Sequence, residues 1–263
     1  MCMDGWGTLE EWVGNSLMSL HVDIDAFVSW AGAAYALTDD SWDGAGRGDP
    51  LDGTLPYGKV LPSIFLINYA LSDNYIPQWH ATEDYASCSR AADNRFHGPF
   101  YLRFIEYNGG SEADAETGRF AARDRTNLHC PLFNPGSISD FPSHRAGVLL
   151  HESWHHWQRK HGFSGDHPAK SGACTGGECD YYYFHGTGWF DFGTLDRWST
   201  DAANFRFHSP YQVEAEFFAD LAEESKPWVP TLITQTARDH GNILLAKYFI
   251  NRVGYRIGQP RPW

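Results

Sequence analysis

Residues 151–155 of this 263-residue chain read His-Glu-Ser-Trp-His. On a helix, positions i and i+4 share a face, so both imidazoles can reach one metal ion. Glu152 then stands beside the ion, where a carboxylate can take a proton from water. The chain has 13 histidines and 12 glutamates, and a shuffled sequence of that make-up contains this pattern about 0.03 times, so the spacing carries weight. The flanks agree, because Val148-Leu149-Leu150 before it and His156-Trp157 after it bring no acid or strong base to compete for the ion. The alternative is a histidine-rich helix face packed under aromatic side chains, with no metal.

A helix has to carry those residues, and the local signals supply one. Pro142-Ser143 open it and Gly162 closes it just after His161. Upstream, Thr8-Leu9-Glu10-Glu11 forms a capping box for a helix, or a broken pair, reaching about Leu37, with Trp12, Leu20, Ile24, Phe27, Trp30 and Ala34 on its buried side. Residues 63–70 (SIFLINYA) and 100–107 (FYLRFIEY) read as strands, and 127–130 as a shorter one. Downstream, 163–208 is a long Gly-, His- and aromatic-rich excursion with little periodicity. Ser209-Pro210-Tyr211-Gln212 is a second capping box, opening a helix to about Glu224. Pro227 and Pro230 punctuate, and a last helix covers 231–252. Helix, strands, then helices predicts an α+β fold. We expect one domain over 1–263, or else two lobes of about 1–162 and 163–263 with the cleft between them.

The run VLLHESWHHW resembles the extended motif of the zincin metallopeptidases. The resemblance implies that His151 and His155 are ligands of one catalytic Zn2+ and that Glu152 is the general base. It also implies a zincin-like fold, in which a small mixed sheet packs on the active-site helix and a mainly helical C-terminal part follows. For the third ligand, Glu216-Phe217-Phe218-Ala219-Asp220 is similar to the second helix of gluzincins, where a Glu binds zinc and an Asp four residues later orients a ligand histidine. The Glu-x-x-Ala-Asp form is also similar to that of the CAAX prenyl peptidases, which are membrane proteins. Physically, Glu216 and Asp220 lie one turn apart on one face, as a ligand and its orienter should. Glu214 is the competing ligand two residues earlier. His161 has the spacing of a metzincin third ligand, but Gln158 stands where that pattern needs Gly. Met1, Met3 and Met18 all lie upstream of any Met-turn. Gly193-Thr194-Leu195-Asp196 is similar to the start of the aspzincin motif, and Trp198-Ser199-Thr200 departs from its ending.

The activity so implied is hydrolysis of a peptide bond by a zinc-bound water that Glu152 activates. The same chemistry serves a zinc-dependent esterase or amidase acting on a non-peptide carbonyl, and a non-catalytic, disulfide-stapled binding module is the third class. Tyr181, Tyr182, Tyr183, His185, His208, Tyr211 and His240 are all available to stabilise the oxyanion.

Composition narrows the partners. Twenty basic against 33 acidic residues give a net charge of −13, which disfavours nucleic acid and anionic membranes. The chain is 42% hydrophobic and 16% aromatic, a globular make-up with enough rings to line a cleft for a peptide or small acyl substrate. The longest apolar stretch, 60–71, is too short and interrupted for a membrane span. Cys174 and Cys179 flank a TGGE turn and are expected to pair, which leaves Cys88–Cys130 as a long-range bridge. Disulfides imply an extracellular or periplasmic protein. Residues 1–25 contain Asp4, Glu10, Glu11, Asp23 and Asp25 and no basic-then-apolar leader, so any leader is expected to have been removed. Asp39, Ser41, Asp43 and Gly44 match the first half of a Ca2+ loop, with Pro50 where its bidentate Glu should stand, making calcium a weaker expectation than zinc.

Overall fold

A computed structural model of the chain describes residues 52–70, 104–117, 125–134, 141–160, 210–225, 229–248 and 256–259, together with 28, 29, 31, 32, 35–37, 42 and 227. The N-terminal capping box, the calcium-loop residues Asp39, Ser41, Asp43, Gly44 and Pro50, and the excursion 163–208 lie outside the described residues. So do Cys88, Cys174 and Cys179, and with them both expected cysteine pairings.

Helix α1 (Pro56–Tyr69) opens on a proline, whose missing N–H is no loss in a first turn. Its Tyr57, Val60, Leu61, Ile64, Phe65, Leu66 and Ile67 are all buried. A helix buried on every side loses its 3.6-residue periodicity and reads as a continuous apolar run, which is also how a buried strand reads. The strand expected over 63–70 is therefore corrected to helix. Buried Lys59 is held by donating from Nζ to the Phe133 carbonyl at 3.2 Å. The Lys59 carbonyl accepts from Nε of buried Arg145 at 3.1 Å, which ties α1 to the helix that carries the motif.

Strands β1 (Phe104–Tyr107), β2 (Ala115–Thr117) and β3 (Arg125–Leu128) form one sheet in the order β1-β3-β2. β1 runs parallel to β3, and β2 runs antiparallel to it with Thr117 opposite Thr126 and Ala115 opposite Leu128. β1 falls within the expected 100–107. β3 lies two residues earlier than expected, because at Cys130–Phe133 the chain has already turned into a 3-10 helix. β2 has no counterpart among the expectations. Trp42 locks the first strand by donating from Nε1 to the Ile105 carbonyl at 2.9 Å, and the Tyr107 hydroxyl meets Cys130 Sγ at 3.3 Å.

Three helices follow, α2 (Pro142–Lys160), α3 (Pro210–Glu224) and α4 (Thr231–Tyr248), each starting where the sequence predicts a helix to begin. Phe218 of α3 joins them. A Cβ at Gly147 of α2 would stand 2.4 Å from the Phe218 ring, and one at Gly241 of α4 would stand 3.0 Å from Phe218 Cβ. Phe218 thus packs closely against both helices at points where neither carries a side chain. The architecture is α+β, with a small mixed sheet against α2 and helices packed on its other side. Among the described residues, no helix is long and apolar enough to cross a membrane.

Candidate metal centre

The spacing along α2 sorts its polar side chains by face. His144, Gly147, His151 and His155 recur at three- and four-residue steps and form one stripe, while Glu152 and His156 form the next. The first stripe meets α3 at Gly147 and His151, and the second meets the sheet.

His151, Glu152 and His155 are buried, and one ligand atom from each lies within 4.8 Å of the other two. The two imidazole centroids are 5.0 Å apart. From α3, Glu214 Oε2 sits 3.2 Å from His151 Nδ1, and the Tyr211 ring meets His151 edge-on at 4.6 Å. Burial pushes His151 down to about 3, so its imidazole is neutral. Burial likewise pushes the Glu214 carboxyl up to about 7, with His144 drawing it back and Asp114 adding to the rise. A neutral ring that donates from Nδ1 to Glu214 keeps the Nε2 lone pair as its metal donor.

At the other end of the stripe, His144 Nε2 is 3.4 Å from Asp114 Oδ2, and the His240 ring of α4 packs edge-on against His144 at 5.1 Å. Phe141 and Phe218 close around His240, whose buried Nδ1 has no hydrogen-bond partner among the described residues. Burial, then His144, pushes its imidazole down to about 3. Acid therefore works against the fold here. Below about pH 6.5 the unfolded chain takes up a proton at this residue, and the folded chain refuses it until about pH 3.

On the sheet side, the Thr117 hydroxyl bonds Glu152 Oε2 and lies 3.5 Å from the Glu152 carbonyl oxygen. Thr126, directly opposite on β3, holds His156 Nε2 at 3.1 Å through its own hydroxyl.

Of the residues singled out from the sequence, the structure brings together His151, Glu152, His155, Glu214 and Tyr211. Asp220 is buried on α3, six residues beyond Glu214. Glu216 lies on α3 with its side chain outside the described residues, and His161 and Asp196 lie outside them altogether. Sequence reasoning passed over Thr117, His144, Asp114 and Gly147. Two of these carried a signal, since His144 is seven residues before His151 on the same stripe and Gly147 is a glycine inside a strong helix. Thr117 carried none, because its strand was not legible.

Two imidazoles and a carboxylate, all buried and convergent, form a group that could hold a metal ion. The Glu214 contact adds the outer partner that a ligating histidine ordinarily has. The described residues thus define an α+β protein with one buried His/Glu/His cluster on a helix between sheet and helices. Compared with protein-family models, with curated proteins and with solved structures, the chain matches none.

Proposed function

We propose that the chain is a zinc-dependent hydrolase with a zincin-like catalytic domain that cleaves peptide bonds. The observation that carries this is the convergence of His151, Glu152 and His155 within 4.8 Å on one buried stretch of helix. In this proposal His151 and His155 hold the ion, and Glu214 fixes the His151 ring through Nδ1. Glu214 was the alternative to Glu216 with Asp220 for the α3 carboxylate of the site, and its contact with His151 favours it in this proposal. Bound zinc would polarise a substrate carbonyl and acidify water. Glu152 accepts the proton and returns it to the leaving group, and its burial keeps bulk water from competing for that role. The cysteine pairings Cys88–Cys130 and Cys174–Cys179 suit an extracellular or periplasmic setting.

The test is hydrolysis of casein by the purified chain, with and without a zinc chelator. Cleavage is expected, lost on chelation and restored by added zinc. Chelator-sensitive cleavage of small acyl esters alone would move the assignment to an esterase or amidase. Neither activity would leave a binding module.

A further inference from the structure

We propose that Thr117 decides the role of Glu152: by tethering one carboxylate oxygen to the sheet, it keeps Glu152 a base beside the ion instead of a ligand on it. This rests on the metal-site assignment made above.

Glu152 comes close enough to ligate. Its carboxylate lies within 4.8 Å of the donor atoms of both His151 and His155, and a carboxylate that near a divalent cation is a competent anionic donor. A third anionic ligand drawn from Glu152 would consume the group that must accept the proton. Something has to hold it off, and the neighbouring strand supplies a hydroxyl. Thr117 has a single hydroxyl proton and two acceptors on the same residue, Glu152 Oε2 and, at the 3.5 Å limit, the Glu152 carbonyl oxygen. The carboxylate oxygen is the nearer of the two, so the proton goes there.

The tether is rigid by construction. Thr117 is β-branched, which restricts χ1, and it stands opposite Thr126 in the β2–β3 register. Thr126 bonds His156, the residue one turn after Glu152 on the same face of α2. Two hydroxyls on one rung of the sheet therefore grip two successive turns of the helix, and Glu152 cannot swing toward His151 and His155 without breaking the first of them. Thr117 is a positioning residue, acting through Glu152 and touching neither ion nor substrate.

The experiment uses zinc alone. Zinc affinity is measured by competition with a chromophoric chelator, and the visible spectrum of the Co2+-loaded protein is recorded alongside. The proteins are wild type, Thr117→Val, Thr117→Ala, Thr117→Ser, Glu152→Gln and the Thr117→Val/Glu152→Gln double variant. Thr117→Val and Thr117→Ala are expected to bind zinc about tenfold more tightly, the lower end of what outer partners of a metal site control, with a changed Co2+ spectrum. Thr117→Ser should behave as wild type, and on the Glu152→Gln background the Val substitution should change nothing. A packing role alone would weaken binding, and equally with Glu or Gln at 152. That result, or wild-type affinity and spectrum in both the Val and Ala variants, would overturn the proposal while leaving the metal site standing. Absence of zinc binding in the wild type would remove the metal site itself, and this proposal with it.

Discussion

Glu152→Gln is expected to lose about 10²–10⁴-fold in turnover while the protein still binds one zinc per chain. The substitution keeps the size of the side chain and the carbonyl oxygen that accepts from Thr117, and it removes only the ability to take a proton. His151 and His155 keep their places, because Glu214 and the helix itself fix them. Separating the two effects is what distinguishes a base from a ligand. Casein hydrolysis and elemental zinc analysis on the same preparation read both. Loss of zinc together with activity would make Glu152 a ligand, and retention of the wild-type rate would remove it from the chemistry.

Gly147→Val should destabilise the protein by about 3 kcal/mol or more and weaken zinc binding with it. A Cβ at this position would stand 2.4 Å from the Phe218 ring and 3.1 Å from Glu214 Cγ. Valine adds two further methyl groups in a space with no slack. The opposing term is small, since removing a glycine from a helix interior is worth roughly 0.5–1 kcal/mol, so the clash wins. Phe218 is itself fully buried, so its ring has little room to give way. α3 must then move off α2 and carry Glu214 away from His151. For a chain of this length the melting temperature should fall by about 6–12 °C. A melting curve and a zinc titration of the variant test this, and an unchanged melting temperature would contradict the packing described here.

The same contact explains which parts of the site could be read from the sequence. Helices α2, α3 and α4 announce themselves through Pro142, Pro210 and Thr231 and through apolar residues at helical spacing, and the i, i+4 geometry of His151 and His155 follows from helix pitch alone. The approach of Glu214 to His151 does not, because it depends on how α3 is rotated, and Phe218 entering the notch at Gly147 sets that rotation. Stepping four residues forward along α2 from Gly147 reaches His151, and stepping four back along α3 from Phe218 reaches Glu214, as an antiparallel pair requires. A glycine one turn before the motif histidine was the available signal.

Two misreadings have different causes. Residues 63–70 looked like a strand because α1 is buried all round, which erases the periodicity by which helices are recognised. β2 was invisible because Ala115-Glu116-Thr117 has no run of β-branched or aromatic residues. It is a strand by virtue of its pairing with β3, a non-local fact that three residues cannot encode. Thr117, the one residue there that reaches the motif, went unread for the same reason.

The central claim is that His151 and His155 form a metal site. Zinc content per chain, measured by elemental mass spectrometry on protein purified without a histidine tag, tests it most directly. About one zinc per wild-type chain is predicted, falling toward zero in His151→Ala and His155→Ala. Wild-type protein with far less than one zinc, and no uptake after dialysis against zinc, would contradict it.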